Sequence, residues 1–598
     1  MVVFYSIDEA LNRIRFPEES KLTIIRGLEK FCGFIAFLAE TQIKTQNKPI
    51  TLCFDGYLGV KWNQIIPALQ ETLEKRNLNL SIIDFSICYK PPSEIESIIR
   101  PYLEKDPNFG FVFKGRINNF LDFKNIEILK EKIKIHRKNC SAVICYGPGS
   151  SIPYLRKIYD KIFYFDITRE RIFNDLENNP VPLGWREKIA FKEFVRRFYY
   201  VDSQVLDGHK KYILNFMDYY VESNNPSELK ILPRKVYFEM LSKLAEYPFA
   251  IKPLYYPVTW GGNYLKRIKK LPESMVNSGQ GFIVPVDNSV RITVDNIELE
   301  IPFLNLLWAE PKKILGDYVF RKFKGHFPIV YWYDDSIEGW HMAIQVHANR
   351  TYMKKHFNEP FSQDESYYIV FTGPGAKTYL GLKDDTNIEN LRRDAQKAEK
   401  EHIPFDHEKY INSIPTKPGD YFLIPNGTVH ASGRNQVVLE INGEICSYGP
   451  GYTFHIYDYL KPDLDGTLRP IHIEHSFSVL KVSRRAKWVM KNLKQQPRLI
   501  RLTNNGAEYL LGSYKNMYYE VHRIEIEASS HMDDDTKGKF HGLTLVDGEK
   551  VIVSSKKDPE KKYELNFLDT IIVPAYIGEY EIINLGSKTA KIVKALVK

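Results

Sequence analysis

Gln345 and His347 stand two residues apart in an apolar run that starts at Ala343, Glu365 opens the apolar segment 367–371, and His430 follows the turn Pro425-Asn426-Gly427. Residues two apart on a β-strand point to the same face, so Gln345 and His347 would present an amide oxygen and an imidazole together. With a carboxylate and a second imidazole from other strands, they form a mixed nitrogen and oxygen donor set. That set suits a divalent metal with an open position: Zn2+ first, then manganese, iron, cobalt or nickel. An open-site metal implies Lewis-acid chemistry on a small molecule. Taken one by one, these residues read as packed or hydrogen-bonded strand side chains, because two of 15 histidines in apolar strands are no surprise. The metal reading rests on the four together.

Such a site needs rigid elements to hold it. A chain of 598 residues suggests about three or four domains, and 43% hydrophobic with 13% aromatic residues gives each a core. In the first part, residues 50–54, 80–85, 111–113, 142–146 and 161–165 are short, continuously apolar strand candidates, with helical patterns at 65–75, 93–100 and 126–134 between them. Alternation of this kind predicts an α/β domain with a mostly parallel sheet, P-loop-kinase or Rossmann-like, covered on both faces. From Lys252-Pro253-Leu254 onward strand signals dominate, with turns at Trp260-Gly261-Gly262-Asn263, Gly373-Pro374-Gly375 and Lys417-Pro418-Gly419-Asp420; helix is limited and clearest at 388–402. Many short strands with Gly/Pro turns predict a β-sandwich or barrel. A basic segment at 481–501 precedes a last β-rich block. The expected division is an α/β domain at 1–240, a β domain at 250–478 and a second β domain at 479–598, the two β blocks reading as distant copies of one barrel.

Basic residues number 83 and acidic ones 74, a mild excess of +9 that is compatible with a phosphorylated or otherwise anionic small molecule. No basic stripe interleaved with aromatics argues for nucleic acid, and the lysine-rich run 130–138 is broken by Glu131, Ile133 and Ile135, as on the solvated side of an amphipathic segment. The six cysteines, Cys32, Cys53, Cys88, Cys140, Cys145 and Cys446, include no C-x-x-C pair and read as free thiols of a reducing compartment. The first residues lack a basic region followed by a long apolar one, and no stretch reaches the roughly 18 apolar residues of a membrane span. The expectation is a cytoplasmic protein that binds neither membrane nor nucleic acid, with its oligomeric state open.

Two glycine turns in the first part, Asp55-Gly56-Tyr57-Leu58-Gly59 and Gly147-Pro148-Gly149-Ser150-Ser151, follow strands and precede helices. Backbone N–H groups in such a turn can cradle a phosphate. Asp166 and Arg169 follow another strand. The layout resembles that of nucleoside- or sugar-kinase-like α/β domains, yet the chain carries neither G-x-x-x-x-G-K-[ST] nor G-x-G-x-x-G. Ordinary strand-to-helix turns are one reading and a degenerate nucleotide- or sugar-phosphate-binding domain the other.

From about residue 250 to the end, the chain resembles class I mannose-6-phosphate isomerases. Lys252-Pro253-Leu254-Tyr255-Tyr256 with Trp260-Gly261-Gly262 is similar to that family's opening segment, and Ile344-Gln345-Val346-His347 to its first metal motif. Glu365 falls where its metal carboxylate is expected, and Ile424 to Ala431 is similar to the loop that carries its last histidine. Leu439-Glu440-Ile441-Asn442 and Ile456-Tyr457-Asp458-Tyr459 fit the segments that follow, and Ile572-Val573-Pro574-Ala575 with Gly578-Glu579-Tyr580 resembles the closing barrel. The resemblance implies a double cupin of jelly-roll barrels, one divalent metal on Gln345, His347, Glu365 and His430, and a sugar-phosphate substrate. Three positions depart from the family's pattern: Gln363 stands where a basic residue is usual, His455 where an arginine is usual, and Ala348 where a proline is common.

Aldose–ketose isomerisation moves a proton between C1 and C2 through an enediol, so it needs a cation near the developing oxyanion and a base. His455 is the candidate base or oxyanion donor, since imidazole titrates near neutrality; a strand histidine with a structural role is its alternative. Lys377, after Gly373-Pro374-Gly375-Ala376, is a candidate contact for an anionic substrate, or else a solvated lysine. The leading expectation is a metal-dependent isomerase converting mannose 6-phosphate to fructose 6-phosphate, or a relative. The alternatives are a non-catalytic metal- and sugar-binding regulatory protein, favoured by Gln363 and His455, and a bifunctional protein with phosphotransfer in its first part.

Overall fold

The computed structural model describes residues 4–7, 11–443, 451–463 and 466–598; Cys446 lies outside them. The chain divides into two compact units, one of Arg13–Lys243 with Arg291–Ala309, the other of Met1–Asn12, Leu244–Val290 and Glu310–Lys598.

In the first unit, five parallel strands lie in the spatial order Leu80–Asp84, Ala142–Tyr146, Ile50–Gly56, Lys161–Asp166 and Tyr219–Glu222. Lys230–Pro233, antiparallel to Tyr219–Glu222, and Ile25–Arg26, antiparallel to Lys230–Pro233 in turn, extend the sheet. All seven residues of Ile50–Gly56 are buried, which is why the central strand is apolar without alternation. Helices Leu28–Gln46, Trp62–Lys75, Pro92–Leu103 and Phe123–His136 alternate with the strands. Chain order reverses at Ile50–Gly56, so the carboxyl ends of the three central strands form the place where such sheets commonly bind ligands. Phe111-Val112-Phe113 is not a strand. The Phe111 and Phe113 amides donate to the carbonyls of Tyr102 and Tyr200, at 2.7 and 2.9 Å, and the Phe113 ring packs against Tyr102 and Phe120. This apolar triplet supplies aromatic packing outside the ladder. Cys32, Cys53, Cys88 and Cys145 are buried free thiols and Cys140 is partly buried.

The second unit is built mainly of antiparallel sheets. Its first part pairs a six-stranded sheet, in the order Leu254–Tyr256, Gln280–Ile283, Ile329–Asp335, Gln436–Gly443, Asp364–Thr372 and Tyr421–Ile424, with a five-stranded one, in the order Ile411–Pro415, Lys377–Leu382, His430–Ser432, Ile344–Val346 and Phe454–Tyr457. The helix Ile388–Glu401 matches its sequence pattern; shorter helices such as Arg350–Phe357, Ile473–Val479 and Ala486–Asn492 were not legible as such. The last part contains a seven-stranded and a four-stranded sheet around an apolar core that includes Ile524, Leu543, Val551, Val553, Ile571 and Ile582. No helix among the described residues is long and apolar enough to cross a membrane.

The last barrel packs on the outer face of the six-stranded sheet. Tyr519 Oη donates to the Ile441 carbonyl at 2.8 Å, and Tyr333 shares a hydrogen bond with Thr570. Gly542 makes room for Tyr331, since a Cβ there would run into the tyrosine hydroxyl. Gly542→Ala is therefore expected to force the barrels apart at this point, at a cost of about 1–3 kcal/mol, seen as a lower thermal midpoint in calorimetry.

Candidate metal centre

The two sheets of the first barrel bring the candidate donors together. Gln345 is paired directly with His430 on one side and with His455 on the other, so the three side chains share one face of the five-stranded sheet. His347 follows at the end of the same strand. Glu365 comes from the facing six-stranded sheet. Its Oε2 lies 2.8 Å from His347 Nε2 and 2.9 Å from His430 Nε2. One donor atom from each of His347, Glu365 and His430 falls within 4.8 Å of the others. Gln345 completes the group, with its amide nitrogen 3.3 Å from His430 Nε2; a half-turn of the amide presents the oxygen instead.

The geometry is that of donors aimed at a common point. His347, Glu365 and His430 are at most 2% exposed and Gln345 is 7% exposed, yet His347 Nε2 and both Glu365 oxygens make no hydrogen bond of acceptable angle. Buried polar atoms left this way are costly, and a bound cation would satisfy all of them. The other ring nitrogens are set for it. His430 Nδ1 faces the Thr428 carbonyl at 2.9 Å and His347 Nδ1 the Tyr452 carbonyl at 3.5 Å. A carbonyl only accepts, so Nδ1 carries the hydrogen and Nε2 keeps its lone pair. Burial opposes ionisation of Glu365, but the neighbouring His430 and His347 outweigh it and hold the carboxyl below its ordinary range.

The loop carrying His430 is fixed from two sides. Gly427 adopts φ +82°, and a Cβ on it would meet the Val479 carbonyl and the Lys481 side chain; its amide donates to the His347 carbonyl at 2.8 Å. Arg484, only 4% exposed, donates from Nη1 to the carbonyls of Pro425 and Asn426 at 2.6 and 2.7 Å and to the Thr428 hydroxyl. The basic character of 481–501 gave no sign of this clamp. Arg484→Met, which keeps the stem and removes the donors, is expected to destabilise the fold by about 1–3 kcal/mol and to weaken metal binding about 10- to 100-fold. Chelator competition on the purified variant measures the second effect.

Two further carboxyl groups lie on the same interior face. Asn442 is paired with Glu365, and Glu440, two residues earlier, turns to the same side and is paired with Tyr367. Burial, then the charges of Glu365 and Asp334, push Glu440 well above the ordinary carboxylate range; burial pushes Asp334 up to about 7. Gln280 donates to Asp334 at 3.0 Å and Asn442 donates to Glu440, and burial favours the protonated form of each carboxyl group. Sequence analysis did not single them out. The available signal was Glu440 within the apolar run 437–441 at the parity of Asn442.

His455 is brought to Gln345, but burial, and next the charge of Arg469, keep its imidazole well below the ordinary range. Its Nδ1 lacks a hydrogen-bond partner, and the shift favours the uncharged imidazole. Gln363 lines a small cleft of about 10 Å³ beside His347, with Glu359, Phe361 and Tyr452. Lys377 is not brought to the centre. Leu380, three residues on, is the residue paired with His430, so Lys377 projects from the opposite face, where it is ion-paired with Glu408.

In the first unit, the glycine turn 147–151 spends its N–H groups internally. The Gly149 and Ser151 amides each donate to Asp55 at 2.9 Å, and His209 Nε2 lies 2.7 Å from the same carboxylate. Asp166 is met by Lys210 at 3.2 Å and by Asn305 at 2.7 Å, and Arg169 by Asp207 at 2.8 Å. The carboxyl edge of the parallel sheet is thus filled by the chain's own charged groups.

The second unit's first barrel is therefore a pair of facing antiparallel sheets enclosing a buried histidine–carboxylate centre. Mannose-6-phosphate isomerase from Streptococcus mutans is 26% identical over 228 residues, 38% of this chain and 66% of that protein. Mannose-6-phosphate isomerase ManA from Bacillus subtilis is 23% identical over 338 residues, 56% of this chain and 95% of that protein. A crystal structure of mannose 6-phosphate isomerase from Bacillus subtilis covers 58% of this chain and 99% of its own, at 18% identity and a TM-score of 0.45. Residues 35–246 match a family model described as a domain of unknown function, DUF8485. The C-terminal part of the chain is a mannose-6-phosphate isomerase-like region, and an additional domain accompanies it.

Proposed function

We propose that the protein is a metal-dependent aldose–ketose isomerase acting on a sugar phosphate, mannose 6-phosphate to fructose 6-phosphate or a close relative. The observation that carries the reading is the convergence of His347 Nε2, His430 Nε2 and the Glu365 carboxylate, all buried, with His347 Nε2 and both Glu365 oxygens short of hydrogen-bond partners. Together with the Gln345 amide oxygen, these groups would hold the ion. A divalent metal bound there would supply Lewis-acid stabilisation of an oxyanion. The rest falls to the chain. Isomerisation takes a carbon-bound proton from C2 to C1 and an oxygen-bound proton from O2 to O1. The Glu440 and Asp334 carboxyl groups, whose protonated forms burial favours, offer an acid on the interior face, and His455 offers a base beside Gln345. The burial of all these groups excludes water from the reacting carbons.

A specific observation favours the non-catalytic alternative: of the resemblance's two cationic positions, one holds the uncharged Gln363 and the other His455, whose uncharged form burial favours. A coupled assay for fructose 6-phosphate formed from mannose 6-phosphate separates the two. Turnover by metal-loaded protein that disappears with EDTA supports the isomerase. Bound metal without turnover means a binding protein or a different sugar.

A further inference from the structure

The last barrel contains a polar cavity that the mannose-6-phosphate reading does not use. It measures about 540 Å³ and is lined by residues of the Tyr519–Ile526, His531–Asp535 and Ala590–Val597 strands, among others. An ammonium group forms ion pairs within it. Lys594, 4% exposed, places Nζ 2.6 Å from both Glu508 Oε1 and Asp534 Oδ2. His522 lies between two carboxylates, with Nδ1 2.7 Å from Glu508 and Nε2 3.2 Å from Glu520. Carboxylates only accept, so both ring nitrogens carry hydrogen and the imidazole is a cation. Arg501 Nη2 is 3.0 Å from Glu508 Oε2 but makes no hydrogen bond of acceptable angle. His541 Nδ1 contacts Tyr580 Oη at 2.9 Å, and that hydroxyl donates to Asp534 at 2.9 Å. Nδ1 is therefore the donor, and Nε2 remains an acceptor.

The charges in this cavity balance. Lys594, His522 and Arg501 face Glu508, Glu520 and Asp534, and the outer lining adds three lysines and three carboxylates. A charged ligand would gain no net attraction and would lose its hydration. A hydroxyl group is different: it donates to a carboxylate and accepts from an ammonium, guanidinium or imidazolium in the same contact. The paired charges of opposite sign form a set of such contacts, and the volume falls within the roughly 300–1,000 Å³ of ordinary small-molecule pockets.

We propose that the C-terminal barrel is a second small-molecule site, for a neutral, polyhydroxylated ligand of the unphosphorylated sugar or polyol class, distinct from the His347 centre. Its geometry stands whether or not the isomerase reading holds. Titration calorimetry on the full-length protein tests it, with D-mannose, D-glucose and mannitol as neutral probes and mannose 6-phosphate as the charged one. Saturable binding of at least one neutral probe is expected. It should persist in His347→Ala and weaken about tenfold or more in Lys594→Met. Because Lys594 is buried, Glu520→Gln, at a partly exposed position of the lining, serves as a second variant; it should stay folded by circular dichroism and also weaken binding. The proposal is overturned if no neutral probe binds, if binding is lost in His347→Ala but kept in Lys594→Met and Glu520→Gln, or if His347→Ala binds mannose 6-phosphate more tightly than every neutral probe.

Discussion

His347→Ala is expected to leave a folded protein that no longer retains a divalent metal and shows no isomerase turnover. The side chain sits at the end of the Ile344–Val346 strand and contributes one of the two imidazoles aimed at Glu365. Its removal leaves the Glu365 carboxylate, fully buried, with His430 as the remaining imidazole beside it. Altering groups that only orient a ligand costs about 10- to 100-fold in metal affinity, so loss of a donor should cost more than about 100-fold. Elemental analysis by mass spectrometry after dialysis reads this directly. Wild-type metal content in the variant would place the ion elsewhere. Glu365→Gln gives the companion result: it keeps the shape, removes the charge, and should lose the metal to the same degree.

Glu440→Gln should have the opposite signature, with metal content unchanged and turnover reduced by about 10²- to 10⁴-fold, the range for removing a positioned acid or base. The amide keeps the volume and the contact with Asn442, and it cannot take up or release a proton. The pair also sets a pH dependence. Carboxyl groups whose values are raised on folding bind more protons in the folded than in the unfolded chain, between the ordinary carboxylate value and the raised one. Stability therefore falls as pH rises through that window, which for Asp334 ends at about 7. Denaturant titrations of metal-free protein from pH 4 to 7 should show this decline, less steeply in Glu440→Gln. An equal slope in both would mean that the Glu440 value is not raised on folding.

Features that depend on neighbours along the chain are legible in the residues alone. A two-residue spacing puts Gln345 and His347 on one face of a strand because a strand repeats every two residues. Pro425-Asn426-Gly427 reads as a turn because Gly427 is free to take a positive φ. Uninterrupted apolar runs such as that of Ile50–Gly56 mark the strands of a sheet covered on both faces. Tertiary structure decided everything that required a register. Gln345 meets His430 across 85 residues, Arg484 clamps the His430 loop from more than 50 residues away, and Asp55 fills the glycine turn 147–151 from 94 residues away. Sequence patterns alone do not say which strand lies beside which, because pairing is chosen by burial summed over whole sheets. Burial also decided the chemistry of individual groups. It pushed the His455 imidazole below its ordinary range and the Glu440 and Asp334 carboxyls above theirs. Each of these depends on how much water the assembled barrel excludes, a property that no single segment carries.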